Sequence, residues 1–152
     1  MKTRLAALFI LLCVLLPGMV YSAELVKGKY SDAEVMEILR ADGFSAVTQL
    51  KEGAIKVNVN GRTPILFNND DGDLQAYFVA SGVTLSYEDI NEWNRTKRLS
   101  RAYLDSDNDP VLEADLLSNG GLTKKNVGEF FRIFVNVSVP GFIEFLLEND
   151  KS

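Results

Sequence analysis

Three aspartates at alternate positions, Asp105, Asp107 and Asp109, have the type and spacing of a metal loop or a catalytic carboxylate cluster. A calcium loop of the EF-hand type that starts at Asp105 requires glycine at its sixth position and glutamate at its twelfth. The chain has Pro110 and Leu116 at those positions. Aspartate, asparagine and serine are also turn residues, because their side chains bond to their own backbone. We therefore predict a plain turn, with a weak exposed cation site as the alternative.

The residue types that most enzymes use are scarce in this chain. It contains no histidine, and its single cysteine, Cys13, lies in an apolar N-terminal segment. The commonest general base, the commonest transition-metal ligand and the thiol nucleophile are thus missing from the rest of the chain. Paired carboxylates act as acid and base in clefts, whereas we expect Glu113 to face solvent. The sequence predicts a protein that is not an enzyme and that uses no cofactor or metal.

The N-terminus has the organisation of a secretory signal peptide, with a basic start, an apolar run over 5–16 and a Pro-Gly pair. This apolar run is short against the roughly 20 residues that a membrane-spanning helix needs. We predict cleavage after Ser22 or Ala23. The predicted organisation is a signal peptide over 1–23 and a single domain over 24–152, located in the periplasm or secreted.

The charge balance of the predicted mature chain excludes one class of partner. Removal of Lys2 and Arg4 lowers the basic residues from 16 to 14 against 21 acidic ones, which leaves a net charge of about −7. Such a surface repels phosphate backbones, so we expect no nucleic-acid partner. Without a cysteine, the mature domain must fold by packing alone.

Three helices are predicted from their caps and from apolar residues at helical spacing. Each predicted helix follows a Ser or Thr whose side chain can accept a hydrogen bond from the first turn. The predicted helices, with their caps, are 32–42 after Ser31, 87 to about 95 after Ser86, and a third that follows Thr123. In the second helix Trp93 is the expected core anchor.

Between the first two helices lie short segments rich in β-branched and aromatic residues, separated by turn residues such as those of 68–73. The segments are FSAVTQL, AIKVNVN and LQAYFVAS, and we predict antiparallel strands joined by hairpins. The Asn60-Gly61 pair allows a tight turn or a bulge, and Pro64 favours an irregular or edge position. Three and four strands both remain open here.

A further hairpin is predicted from the runs LSRAYLD and PVLEADL. With a three-residue loop over 106–108, Tyr103 pairs with Val111 and Arg101 pairs with Glu113. In that register one face is apolar and the other carries an opposite-charge pair, as a half-buried hairpin requires. The apolar face would consist of Ala102, Leu104, Leu112, Ala114 and Leu116.

The C-terminal segment over 130–147 is unusually apolar, since 12 of its 18 residues are Phe, Ile, Val or Leu. One interpretation is a helix buried on all sides in the core. The other is a dimer face or a groove for an apolar partner. The candidate partner or dimer surface consists of Phe130, Phe134, Phe142, Ile143, Phe145 and Leu146. Pro140 and Gly141 predict a kink or break, and with the charges at Arg132 and Glu144 they argue against a transmembrane span.

The stretch INEWNRTKRLSRAYLDSDNDPVLEADLLSNGGLTKKNVGEFF resembles the YbjN-domain family of bacteria. The residues that carry this resemblance are Trp93, Asn94, Tyr103, Leu104, Asp109 and Leu112. The resemblance implies an α+β fold like that of the type III secretion chaperones. Its expected form is an antiparallel sheet of five to six strands flanked by helices, in the order α-β-β-β(-β)-α-β-β-α.

The family is described as a regulator of sensory transduction without an established reaction, and the chaperones of similar fold bind extended client segments, commonly as dimers. The resemblance therefore implies a non-catalytic binding or chaperone-like module with a protein or peptide partner, and a homodimer. The alternative from another class is a periplasmic carrier of a small molecule or lipid. Its cavity would be lined by Phe78, Trp93, Phe131 and Phe134.

Overall fold

The structure of the protein is a computed structural model and describes residues 25–152. The predicted signal peptide and its cleavage site lie outside the described residues. The helices and strands are, in chain order, α1 (Asp32–Ala41), β1 (Ala46–Lys51), β2 (Ala54–Asn58), β3 (Ile65–Asn68), β4 (Leu74–Val79), α2 (Tyr87–Thr96), β5 (Arg101–Leu104), β6 (Pro110–Leu116), α3 (Lys124–Ile133), a π-helical turn (Phe134–Ser138) and α4 (Val139–Asn149).

The predicted helix starts are confirmed, and each is a complete capping box. The cap side chain accepts a hydrogen bond from the third residue of the helix, whose own side chain accepts one from the cap backbone N–H. The three pairs are Ser31 with Glu34, Ser86 with Asp89, and Thr123 with Asn126. Helix α1 ends at Ala41, one residue before the predicted end, and Asp42 is its C-cap.

Four strands lie between α1 and α2, so the four-strand alternative is correct. Asn60 and Gly61 have φ of 51° and 74° and form a tight two-residue turn. Val59 and Arg62 flank this turn and exchange two backbone hydrogen bonds of 3.0 Å. Positive φ at both central residues is what the hairpin turn requires. Pro64 lies in the irregular stretch before β3, as predicted.

All six strands form one antiparallel sheet in the order β1-β2-β3-β4-β6-β5. The β5–β6 hairpin has the predicted register, with Arg101 opposite Glu113 and Tyr103 opposite Val111. Its turn is also confirmed as a plain turn, because Asp105 Oδ1 accepts hydrogen bonds of 2.9 Å from the N–H groups of Asp107 and Asp109. Between β4 and β5 the chain passes through α2, so that β5 lies at the far edge of the sheet and β6 returns beside β4.

One face of the sheet is covered by the helices and forms the hydrophobic core. Side chains alternate between the two faces of each strand, and directly paired residues share a face. The core face carries small and apolar residues, including Val57, Leu66, Ala76, Leu112 and Ala114, all of which are buried. Helices α1 to α4 contribute Val35, Leu39, Trp93, Phe131 and Phe142 to the same cluster.

The C-terminal helical segment does not break at Pro140 and Gly141. Lys124–Asn149 is one helical run of 26 residues. The five-residue π-helical turn just before α4 lets the Val139 N–H reach the Phe134 carbonyl. A π-helical turn inserts one residue into a helix, and here it lies directly upstream of the proline, which lacks an N–H. Of the two predicted alternatives, a kink or a break, the break is therefore wrong, and the helical period changes just before the proline.

By length and composition this run could cross a membrane. The structure places it within the domain instead, because Phe131, Phe134 and Phe142 are at most 1 % exposed and belong to the core. Side chains of such a helix pack on the sheet, and long apolar core helices share the composition of membrane spans. We therefore treat it as the core helix of this fold.

The segment before α1 is hydrogen-bonded to the residues that precede α3. Lys27 exchanges two backbone hydrogen bonds with Leu122, at 2.9 and 2.8 Å. The segment before α1 lies so close to two neighbouring residues, Gly72 and Gly121, that neither position has room for a side chain. A Cβ at Gly72 would lie 2.1 Å from the Gly28 carbonyl oxygen, and one at Gly121 would lie 2.3 Å from Val26. No feature of the sequence predicts this contact.

Candidate functional site

The second face of the sheet is covered by none of the described helices and is called here the open face. Its residues are Ala46, Thr48, Lys51, Ala54, Lys56, Asn58, Ile65, Phe67, Gln75, Tyr77, Val79, Arg101, Tyr103, Val111, Glu113 and Asp115. Among the described residues, Ala54 and Val111 of this face are buried, but none of its apolar members belongs to the hydrophobic cluster that the helices cover. Antiparallel sheets often leave one face to solvent, but such a face is normally polar. Here it carries three aromatic rings.

Glu113 lies at the centre of the open face and is buried, so the expectation that it faces solvent is wrong. Its side chain is only 7 % exposed. Glu113 Oε2 accepts hydrogen bonds from Arg101 Nε at 3.0 Å and Nη2 at 2.8 Å, and Oε1 accepts one of 2.7 Å from the Tyr103 hydroxyl. Two neighbours on the same hairpin thus hydrogen-bond to both oxygens of the carboxylate.

Aromatic side chains flank this carboxylate on both sides. The rings of Phe67 and Tyr77 meet edge to face, with centroids 5.8 Å apart. Burial raises the pKa of the Tyr77 hydroxyl, and the nearby carboxylates of Asp105, Glu113 and Asp109 raise it further. Burial also raises the pKa of Tyr103, together with its hydrogen bond to Glu113. Both phenols therefore stay neutral and lie in a region of negative potential.

At one end of the open face lie Asp105 and Asp109, which face each other across the β5–β6 turn, next to Tyr103 and Val111. Both carboxylates are close enough to Tyr77 to raise the pKa of its hydroxyl, after the larger effect of burial. We call them the acidic end. Each carboxylate is held by hydrogen bonds: Asp105 by its own turn and Asp109 by the Ser81 hydroxyl at 2.7 Å. Among the described residues, no Lys or Arg forms an ion pair with either one. The same part of the chain holds no group of three or more side chains placed for a metal ion.

Both edges of the sheet carry side chains that occupy backbone groups. Asn94, at the end of α2, accepts a hydrogen bond of 2.8 Å from the Ala102 N–H and donates one of 3.0 Å to the Ala102 carbonyl. The Asn94 amide thus pairs with β5 as a neighbouring strand would. At the other edge, Arg40 donates a hydrogen bond to the Val47 carbonyl. Another chain can therefore pair with the sheet edges less readily than it can pack on the open face.

The other residues of the resemblance also have defined places. Trp93 is 2 % exposed, and its ring meets that of Phe142 edge to face at 5.0 Å. Leu104 and Leu112 point to the core face of the hairpin. Asn94 is the residue whose role the sequence did not predict, because its partner Ala102 becomes a neighbour only through tertiary structure.

The six residues of the predicted C-terminal surface divide into two groups. Three lie in the core and are at most 3 % exposed, namely Phe134, Phe142 and Leu146. They are not available to a partner in this conformation, because they fill the space between the helix and the sheet. The other three, Phe130, Ile143 and Phe145, are half-buried and pack against the core. The binding role of this surface stays a prediction.

The outer side of the same helical run nonetheless exposes apolar residues. Val137 is 61 % exposed and Leu147 is 78 % exposed. Glu144 and Glu148 lie exposed on the same helix as Leu147. This outer helix surface, defined by Val137 and Leu147, is the second candidate contact region of the molecule. Its apolar residues are separated by polar ones, whereas those of the open face adjoin each other across strands.

The residues proposed to line a carrier cavity fill the core instead. Phe78, Trp93, Phe131 and Phe134 are between 0 and 8 % exposed and belong to the hydrophobic core. An open depression of about 990 Å³ lies elsewhere, beside the start of α1, and Lys29, Asp32, Lys51 and Asp70 are part of its lining. Its polar lining does not resemble the apolar pocket that a lipid carrier needs.

The open-face residues Ile65, Phe67 and Tyr77 were missed as functional candidates. The sequence did contain an indication of this surface. In LQAYFVAS the side chains alternate between the two faces of a strand, and both alternating sets contain aromatic or apolar residues. A strand with one solvent face should alternate apolar with polar residues. Apolar residues on both faces indicate either a covered strand or an exposed apolar surface, and only the topology distinguishes the two.

The fold and the open face together define the class of protein: a single-sheet α+β domain of the type III secretion chaperone architecture. The structure is similar to that of the type III secretion chaperone SycH of Yersinia pestis, which was solved in complex with a stable fragment of YscM2. The match has a TM-score of 0.51 at 17 % sequence identity and covers 70 % of this chain and 98 % of that chain. At this identity the likeness shows the fold.

The chain belongs to the YbjN family. The family model matches residues 31–145 and is described as "putative bacterial sensory transduction regulator". The match extends from the cap of α1 into α4 and so includes the whole sheet. No curated protein sequence matches the chain.

Proposed function

We propose that the protein is an exported, non-catalytic binding module that engages a protein or peptide partner through the open face of its sheet. The observation that carries this proposal is the uncovered face itself. Over the described residues it places Ile65, Phe67 and Tyr77 outside the core, half-buried and side by side across β3 and β4. Adjacent apolar side chains on a surface are typical of contact regions for other molecules.

The comparisons support the class of function. The structural neighbour was solved with a protein fragment bound, and the family is described as regulatory. Neither description names a reaction, and the chain has no histidine. A binding or chaperone-like module accounts for these facts without any assumed catalytic group. The homodimer implied by the resemblance is part of the same proposal, and light scattering of the purified protein tests it.

Export rests on the N-terminal sequence. The basic start and the apolar run over 5–16 support a cleaved signal peptide. Sequencing of the N-terminus of the protein recovered from the cell envelope tests this part. A start at Ala23 or Glu24 is expected, and an intact Met1 in a cytoplasmic fraction would contradict export.

The partner-binding surface can be tested by comparing two double variants. Ile65→Thr with Phe67→Thr removes apolar area from the open face while keeping residues that favour strands. Val137→Ser with Leu147→Ser removes apolar area from the outer helix surface. Both variants must show the circular dichroism and cooperative unfolding of the wild-type protein.

Crosslinked complexes are then recovered from cells that express each variant at equal levels. The proposal predicts that wild type and the helix variant capture the same partner and that the open-face variant loses it. Loss only in the helix variant would overturn the proposal and place binding on the C-terminal helix. Capture that is equal in all three would exclude both surfaces.

A further inference from the structure

Resting on the proposed function, we propose that the segment bound by the open face is cationic, with Lys or Arg side chains among apolar ones. The positive side chains contact the acidic end, and the apolar side chains contact the neighbouring rings. The partner is thus identified by chemistry: a short peptide segment that combines positive charge with apolar side chains.

The geometry places charge and apolar surface next to each other. Asp105 and Asp109 continue the register of the β5–β6 hairpin, since the Asp105 N–H donates to the Asp109 carbonyl at 3.1 Å. The next row across the sheet consists of Tyr103, Val111 and Val79. Tyr103 and Val79 are both more than one-third exposed. A ligand on this row would have two carboxylates at its border.

The charges of the open face are not balanced. Its cations are Arg101, Lys56 and Lys51, the last on the far edge strand β1. Arg101 is already engaged by Glu113 at 2.8 Å and lies 3.7 Å from Asp115. Lys56 is on β2, on the far side of β3 and β4 from the hairpin. The acidic end therefore keeps two negative charges without an ion-pair partner among the described residues. Complementary charge on a partner would fix its register on the sheet.

The aromatic rings favour the same kind of ligand. Tyr77 and Tyr103 lie between the acidic end and the centre of the face, and a cation over an aromatic ring is attracted by the ring's quadrupole. Burial raises the pKa of the Tyr77 hydroxyl, and the nearby carboxylates of Asp105, Glu113 and Asp109 raise it further. An acidic segment would meet repulsion at the same place.

Three labelled peptides of equal length test the proposal by fluorescence anisotropy with the purified protein. In each peptide, apolar positions filled by Val or Leu alternate with polar positions. The polar positions are all Lys in the first peptide, all Gln in the second and all Glu in the third. We expect the Lys peptide to bind about tenfold more tightly than the Gln peptide, and the Glu peptide to bind most weakly. The preference should decrease as salt is added.

Two double variants with the same change in net charge test whether the preference for the Lys peptide depends on the acidic end. Asp105→Asn with Asp109→Asn removes two charges, while the amide oxygens can still accept the hydrogen bonds of the turn. Asp70→Asn with Asp71→Asn makes the same change in total charge in the β3–β4 turn, at the opposite end of the sheet. The first variant should lose about tenfold in affinity for the Lys peptide. The second should match wild type.

Equal weakening by both variants would overturn the proposal, because total charge and not the acidic end would then set the affinity. Equal binding of the three peptides, or of none, would also overturn it. The two proposals fail in distinguishable ways. If the Lys and Gln peptides bind equally and Ile65→Thr with Phe67→Thr abolishes the binding of both, the open face is a binding surface whose partner is not cationic. If this variant binds the peptides as tightly as wild type, the proposed function itself is contradicted.

Discussion

The two faces of the sheet differ in how their side chains are held. On the helix-covered face, residues such as Leu66 and Leu112 are buried by other elements of the chain and have no exposed surface. On the open face, Glu113 and Val111 are also buried, and their paired residues lie on β4 and β5. Burial on the first face depends on the whole fold, whereas burial on the second depends on one hairpin and the strand beside it.

This difference separates stability from binding. The covered face carries the packing that a single domain without disulfides needs. The open face contributes less to folding because its apolar groups remain in part exposed, so its composition is free to serve a partner. Substitutions on the covered face should therefore change the free energy of unfolding strongly, and those on the open face should change it weakly.

The largest expected effect is that of removing a core ring. Phe142→Ala deletes a side chain with no exposed surface that packs on Trp93, and large-to-small core substitutions of this kind cost about 3–5 kcal/mol. Phe67→Ala on the open face should cost less than half as much, because Phe67 is already half-exposed. Urea unfolding monitored by Trp93 fluorescence measures both. Equal losses would show that the open face is part of the folding core.

An intermediate effect is expected at the sheet edge. Asn94→Ala removes two hydrogen bonds to Ala102, at about 1 kcal/mol each, and leaves β5 open to pairing. We expect lower stability together with concentration-dependent association in light scattering. Asn91→Ala, on an exposed position of the same helix, is the matched control and should do neither. Association of both variants would point to a general loss of helix stability.

A smaller effect is expected at the centre of the open face. Glu113→Gln keeps the shape but removes the charge that Arg101 and Tyr103 share, and the loss should be about 1–2 kcal/mol. Asp115→Asn, on the same strand but more exposed, should change stability by less than about 0.5 kcal/mol. Urea unfolding distinguishes the two. A stabilised Glu113→Gln protein would show that the buried carboxylate serves something other than folding.

The smallest effect concerns the capping boxes outside both faces. The ion pair with Lys27 and the capping hydrogen bonds lower the pKa of Glu34 to about 2, and Lys151 with Ser86 lowers that of Asp89 to about 2. Since the folded-state pKa lies below the unfolded one, both groups stabilise the fold above about pH 5, and this contribution is lost as the pH falls towards 2. Unfolding midpoints between those values test this. The double variant Glu34→Gln with Asp89→Asn should show a flatter profile, and an unchanged slope would assign the acid sensitivity to other carboxylates.

Local patterns predicted much of this fold. The helix caps and the β5–β6 register depend on residues close in sequence, whose geometry follows from cap chemistry and alternation. For the Asn60-Gly61 pair the sequence left a tight turn and a bulge both open, and the structure has the turn. The burial of Glu113 was not predictable in this way. Opposite charges across a hairpin are typical of an exposed face, and the pattern does not show that a tyrosine hydroxyl completes the shell.

The C-terminal helix shows where composition stops being informative. The sequence pattern of an apolar helix is the same whether a sheet or a partner covers it. Phe134 and Phe142 could therefore be assigned to a surface or to the core equally well. Their burial depends on the position of α4 over the sheet, which is a non-local property. The contact between Gly121 and the segment before α1 is non-local in the same way.

The central claim, that the open face is where a partner binds, is tested most directly by a photoreactive phenylalanine analogue placed at one position at a time in the living cell. Phe67 represents the open face and Leu147 the outer helix surface, and both side chains are accessible in the folded domain. We expect a discrete crosslinked species from position 67 and none from position 147. A discrete species from position 147 alone would contradict it.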